Sequence, residues 1–111
     1  MQAFDLARLF AQRVKLGTPY LEFLKVPAMS LGLYTLPVGG TDEQTPHAED
    51  EAYYVVSGRA RIRVADDDRA LEPGTIVFVP ARVPHHFHSI AQELTVLVFF
   101  APAEGTGLAP G

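Results

Sequence analysis

Two apolar runs, each flanked by metal-binding side chains, constrain this chain more than any other feature of its sequence. The first run, 52–57, follows His47 and Glu51, and the second, 76–79, is followed after a short turn by His85. Neutral imidazole and carboxylate are the side chains that bind first-row divalent metal ions. The pattern therefore predicts one metal ion held between short β-strands, with these three side chains as ligands.

Most of the chain reads as short β-strands separated by turns. The chain has 111 residues, of which 48% are hydrophobic, nine are glycine and nine are proline. Turn signals recur about every 8–12 residues, and Ser57-Gly58 reads as one such turn. The predicted strands cover residues 20–26, 29–36, 51–57, 59–64, 70–71, 76–79, 83–88 and 94–100. Short strands at this spacing predict a β-sandwich or barrel.

The length and the turn pattern predict a single β-domain with an added helix. Residues 3–16 read as a short amphipathic helix that ends at Gly17, so 1–19 are predicted to form a helix and linker. Residues 20–100 form the predicted β-domain, and 101–111 read as a flexible tail. The apolar stripe of the helix consists of Leu6, Leu9, Phe10 and Val14.

Composition argues against several classes of function. The formal net charge of −4 disfavours nucleic acid or an anionic membrane as the main partner. The absence of cysteine excludes disulfides, zinc-thiolate sites and a cysteine nucleophile. Charged residues interrupt every apolar run near the N-terminus, and no apolar run reaches about 18 residues. We therefore predict a cytoplasmic protein with no secretory signal and no membrane span.

The first histidine-containing segment resembles the first motif of the cupin family. That motif carries two histidines, a glutamate and a closing glycine at fixed spacing. With Gly39 as its start, it places Thr45 at the first histidine, His47 at the second, Glu51 at the glutamate and Gly58 at the closing glycine.

The later segment resembles the second cupin motif. Gly74, Pro80 and His85 match it, with Arg82 and Ser89 in place of its glycine and asparagine. The resemblance covers roughly residues 30–100. It implies an all-β double-stranded β-helix, an RmlC-like jelly-roll barrel of the type-2 cupin kind, here with a short N-terminal helix.

Thr45 is the departure that matters, because the family usually supplies three histidines and a glutamate to its metal. Threonine is a poor ligand beside imidazole. The remaining two histidines and one carboxylate match the ligand sets of non-haem iron and catalytic zinc sites. Gln44 is a candidate fourth ligand, although strand parity would point it away from Thr45. The ligands predicted are thus His47, Glu51, His85 and Gln44; loss of metal binding is the open alternative.

Strand parity separates His85 from the histidines beside it. His85 and Phe87 share one face of their predicted strand, whereas His86 and His88 share the other and are predicted to lie at the surface or rim. The aromatic residues that either line a pocket or pack in the core are Tyr34, Tyr53, Phe78, Phe87 and Phe99.

The resemblance implies a metal-binding small cupin that binds or acts on a small organic molecule. Its cofactor would be a divalent transition metal such as Fe, Mn, Zn or Ni, and dioxygenase and isomerase reactions are open to it. The alternative is a non-enzymatic sensor or binding module with an incomplete metal site, since fold alone does not give function. The exposed sheet edges and the resemblance also predict a homodimer.

Overall fold

Six antiparallel strands form one sheet in the computed structural model, which describes residues 1–42 and 44–105. Along the chain, the elements are α1 (Leu6–Leu16), β1 (Tyr20–Val26), β2 (Met29–Leu36), β3 (Asp50–Val64), β4 (Asp67–Leu71), β5 (Ile76–Val79) and β6 (His85–Ala101). The strand order is β1-β2-β6-β3-β4, and β5 pairs with β3. The predicted all-β jelly roll with a short N-terminal helix is confirmed, although the sheet is not closed into a barrel.

The long strands β3 and β6 hold the two ends of the sheet together. They pair with each other from Asp50 to Val64, and β2 pairs with the C-terminal half of β6. On its other edge, β3 pairs first with β5 and then with β4. Register shifts between Val55 and Arg61 mark bulges, which bend a strand and increase its twist. The sheet therefore bends near residues 55–61 of β3, and both long strands continue through this bend.

Gly58 lies in this bend, and the turn predicted at Ser57-Gly58 is wrong because the chain does not reverse there. Gly58 has a φ of 99°. A Cβ at this position would collide with the carbonyl oxygen of Glu93 in β6. Glycine is therefore required for a bulge and a close approach of two backbones. The predicted strands 83–88 and 94–100 likewise form one strand, β6 (His85–Ala101).

The hydrophobic core lies on the inner face of the sheet. Its almost completely buried members include Val55, Ile62, Leu71, Phe87, Leu94 and Val96. Each such side chain contributes about 1.5–3 kcal/mol when it is fully buried. The alternation of strand side chains places Arg59, Arg61 and Arg63 on the exposed face, as their period-2 pattern predicts.

The helix α1 packs against β1 and β2. It begins at Leu6, three residues later than predicted, because the Asp5 carbonyl accepts the first helical hydrogen bonds from Arg8 and Leu9. Leu9 is buried, whereas Val14 of the predicted apolar stripe is 68% exposed. Among the described residues, no helix is long and apolar enough to span a membrane.

The segment after β6 is held against the sheet at residues 103 and 104. Ala103 is fully buried, and its N–H donates to the Pro27 carbonyl over 3.3 Å. The next N–H, of Glu104, donates to Ser30 Oγ over 2.9 Å. These contacts fix residues 103–104, and the rest of the predicted tail, 106–111, lies outside the described residues.

Candidate metal centre

The structure brings together three of the side chains that the sequence singles out as metal ligands. His47 lies in the loop before β3, Glu51 is the second residue of β3, and His85 is the first residue of β6. One ligand atom from each lies within 4.8 Å of the others. Glu51 and His85 are buried, and His47 is partly buried. Two nitrogen donors and one carboxylate thus converge at one end of the sheet.

His85 is oriented by a backbone carbonyl. Its Nδ1 lies 2.9 Å from the Val83 oxygen, which can only accept, so Nδ1 carries a proton. In the neutral ring, Nε2 then presents a lone pair. That atom lies 2.9 Å from Glu51 Oε1, yet neither atom has a partner with hydrogen-bond geometry among the described groups. Two buried acceptors face each other, and a cation between them would satisfy both.

The electrostatic surroundings of His85 also favour a positive charge here. Burial alone would lower the pKa of His85, but Glu51, the Val83 carbonyl and Asp42 act in the opposite direction and raise it above its usual value. The raised pKa favours a proton on His85 Nε2. A metal ion would have to displace that proton, since ligand imidazole is neutral.

His47 directs one ring nitrogen towards the cluster and the other towards the C-terminal segment. Its Nε2 lies 4.0 Å from Glu51 Oε1, and its Nδ1 lies 3.7 Å from Glu104 Oε2. The His47 carbonyl accepts the Arg82 N–H over 2.6 Å. Arg82 has a φ of 66°, a left-handed conformation at the position where the second motif has glycine. This hydrogen bond ties the turn that precedes His85 to the backbone of His47.

Gln44, rather than Thr45, faces the cluster. Thr45 is exposed. Gln44 Oε1 lies 3.3 Å from His47 Nε2 and accepts a hydrogen bond from the Tyr53 hydroxyl over 3.2 Å. Position 44 precedes β3 and lies in a loop, so the alternation of strand side chains does not apply to it.

Asp42 organises this loop and was not singled out by the sequence. Its buried carboxylate accepts hydrogen bonds from the Tyr34 hydroxyl over 2.8 Å, from Gln44 Nε2 over 2.6 Å and from the Phe87 N–H over 2.8 Å. Three donors compensate for burial of the charge. An aspartate after Gly-Gly-Thr reads as an ordinary loop residue, so no sequence signal identifies this role.

A cavity of about 220 Å³ opens beside His47 and Glu51 of this cluster. Its other walls come from Tyr20, Tyr34, Gln44, Tyr53, Val98, Phe100 and Glu104. Of the predicted aromatic wall residues, Tyr34 and Tyr53 line it, whereas Phe87 is in the core, Phe78 is 62% exposed and Phe99 is partly buried. Tyr20 and Glu104 were missed, because only the folded chain brings both ends to the site.

Tyr20 reaches the cavity across a glycine of the neighbouring strand. A Cβ at Gly32 would collide with the hydroxyl end of the Tyr20 ring. Burial first, and then the nearby Glu104, raise the pKa of Tyr20 well above its usual value, so the hydroxyl keeps its proton. The hydroxyl oxygen is buried and has no hydrogen-bond partner among the described groups.

The fold is that of a cupin. Residues 32–101 match the family model for the cupin domain, which is more than half of the chain, and the chain therefore belongs to the cupin family.

Three comparisons place the chain among its relatives. It is 50% identical over 104 residues to the uncharacterized protein SCO3923 of Streptomyces coelicolor, covering 94% of this chain and 99% of that protein. The crystal structure of TT1209 from Thermus thermophilus is similar with a TM-score of 0.74 and 27% identity, over 93% of this chain and 99% of that one. A structure described as that of the DMSP lyases RdDddP and RnDddQII is similar with a TM-score of 0.68 and 29% identity, over 80% of this chain but 48% of that one.

Proposed function

We propose that this cupin binds one divalent transition-metal ion through His47, Glu51 and His85 and presents it to a small organic molecule in the adjacent cavity. The observation that carries the proposal is the pair of buried acceptors, His85 Nε2 and Glu51 Oε1, that face each other over 2.9 Å without hydrogen-bond geometry. Gln44 Oε1, close to His47 Nε2, is the candidate fourth ligand.

The donor set suits Fe, Mn, Zn or Ni. Imidazole binds Zn, Fe and Ni well, and carboxylate and amide oxygens add affinity for harder ions such as Mn. When bound, such an ion would polarise a carbonyl or hydroxyl oxygen of the ligand. The chain's own contribution is to hold His85 by the Val83 carbonyl, to keep Gln44 in place through Asp42, and to surround the ligand with tyrosine and phenylalanine side chains.

Enzymatic turnover of the bound molecule is the favoured form of this function. The similarity to DMSP lyase structures at 29% identity supports chemistry at such a site. The alternative, a sensor or binding module, is favoured by the incomplete histidine set at position 45. Exchange of a ligand without chemical change would distinguish the sensor from the enzyme.

Metal content of the purified protein tests the proposal. We expect about one transition-metal ion per chain by elemental analysis, and His85→Ala should weaken metal binding at least about 100-fold in competition with a chelator, because a ligand is lost outright. His86→Ala is the matched control, since His86 is the exposed neighbour on the other face. A folded His85→Ala protein that retains the metal affinity of the parent would contradict the proposal.

A further inference from the structure

The charge of the cavity limits what it can accept. Among the described residues that line it, none is lysine or arginine, and the acidic members are Glu51 and Glu104. Glu51 is assigned to the metal above, whereas Glu104 is not among the proposed ligands. Two carboxylates and one divalent ion bring the site close to electrical neutrality. A carboxylate on the ligand would meet Glu104 with no cation of the protein to offset it.

Glu104 is fixed in position by its backbone. Its N–H donates to Ser30 Oγ over 2.9 Å, and the preceding Ala103 is fully buried. The carboxylate lies beside His47, with Oε2 3.7 Å from Nδ1. The acidic group therefore belongs to the wall of the cavity.

The tyrosine hydroxyl groups of the cavity indicate which kind of ligand atom can accept a hydrogen bond from the site. Three tyrosines line it, and two of them are already engaged: Tyr34 donates to Asp42 over 2.8 Å and Tyr53 donates to Gln44 over 3.2 Å. Tyr20 is different, because its buried hydroxyl has no partner within the described part of the chain. Leaving a buried donor unpaired is costly, so a ligand oxygen is the natural acceptor.

The volume of the cavity suits a small molecule. About 220 Å³ corresponds to about seven water-sized groups of about 30 Å³ each. In a site close to neutrality neither kind of charged ligand gains net attraction, because a cationic ligand meets the bound metal ion and an anionic one meets Glu104. The remaining class is a small uncharged molecule with a carbonyl or hydroxyl oxygen.

We propose that the site selects small uncharged hydroxy-carbonyl compounds over carboxylates, with Tyr20 donating a hydrogen bond to a ligand oxygen and Glu104 repelling anions. This inference rests on the proposed metal site. It adds the class of ligand and assigns roles to two residues from opposite ends of the chain.

Two probes of similar size, hydroxyacetone and glycolate, test the selectivity on protein loaded with Co²⁺, whose visible absorption reports ligand binding. Aqueous Co²⁺ is the reference, since it gives the intrinsic affinity of the ion for each probe. We expect the loaded protein to bind hydroxyacetone at least about tenfold more tightly than the aqueous ion does, and glycolate more weakly. One hydrogen bond and the contacts with the cavity walls are sufficient for a tenfold increase in affinity.

Two variants separate the two roles. Tyr20→Phe should weaken hydroxyacetone binding about fivefold, the size of one neutral hydrogen bond, and leave Co²⁺ affinity unchanged. Glu104→Gln should strengthen glycolate binding about tenfold by removing the repelling charge. Glu93→Gln, an exposed glutamate outside the cavity, is the control for net charge, and chelator competition monitors Co²⁺ affinity in every variant.

The possible outcomes are distinct. Failure of the parent protein to bind Co²⁺ contradicts the metal site itself, and it is seen before either probe is added. If Co²⁺ binds but glycolate binds more tightly to the loaded protein than to the aqueous ion, the selectivity is overturned. Equal hydroxyacetone affinities for the parent and Tyr20→Phe would overturn the role of Tyr20.

Discussion

At the scale of single residues, the candidate centre depends on which nitrogen of each histidine is free. The Val83 carbonyl engages His85 Nδ1, and Glu104 lies on the Nδ1 side of His47. In both rings Nε2 is therefore the atom turned towards Glu51. The Val83 carbonyl fixes the tautomer and orientation of His85 in this way. His47 Nε2 instead lies 3.3 Å from Gln44 Oε1, which only accepts, so Nε2 carries a proton that a metal ion would have to displace.

The identity of the fourth position gives a prediction at this scale. Gln44→His should increase metal affinity about tenfold, because imidazole is a better ligand than an amide oxygen for the expected ions. Thr45→His should leave the affinity unchanged, since Thr45 is exposed. Chelator competition on the two variants measures the difference. Tighter binding in Thr45→His alone would mean that the loop holds position 45 against the metal.

The residues that were predicted and those that were missed differ in what positions them. His47, Glu51 and His85 lie at or next to strand ends, where motif spacing and strand alternation carry information. Asp42, Tyr20 and Glu104 depend on tertiary contacts: a loop closing over Phe87, a ring crossing Gly32, and a terminal segment docked on Ser30. No local pattern encodes such contacts, so the sequence could not identify these residues.

At the scale of elements, β3 and β6 carry the architecture. Their apolar and turn-forming residues were recognised from the sequence, but each strand was divided in two. A glycine in a strand can mark either a turn or a bulge, and the choice depends on the neighbouring strand. At Gly58 that neighbour is Glu93, 35 positions later in the numbering. Local sequence therefore predicts reliably that these segments are β-structure. It predicts less reliably that each of them forms one continuous strand.

Gly58 gives the prediction at this scale. Gly58→Ala should lower the free energy of unfolding by at least about 3 kcal/mol, because the new methyl group meets the Glu93 backbone and the positive φ is unfavourable. Gly74→Ala is the control: Gly74 also has a positive φ, but a Cβ there meets nothing within 4 Å. It should cost about 1 kcal/mol. Urea unfolding of both variants measures the comparison, and equal losses would show that close approach is unimportant.

At the scale of the whole molecule, no element within residues 1–42 and 44–105 covers one face of the sheet. The outer apolar face consists of Met29, Tyr54, Ile76 and Phe78 together with Phe99. Ile76 is 70% exposed and Phe78 is 62% exposed, and strand pairing sets Ile76 opposite Tyr54. Glu51 and Tyr53, at alternate positions of the same strand, point to the inner face. The helix α1 packs on β1 and β2, away from β5.

Exposed aromatic and aliphatic side chains clustered in this way are typical of protein–protein contacts. We therefore expect a homodimer formed through the outer apolar face, which also covers the short edge strand β5. Phe78→Asp should convert the dimer to monomer, because a carboxylate buried in an apolar interface is left without a partner. Val38→Asp is the matched control, since Val38 is 63% exposed but lies in the loop after β2. Light scattering at tens of micromolar protein measures the mass of each. A monomeric parent protein contradicts the dimer, and dissociation by both variants alike would place the interface elsewhere.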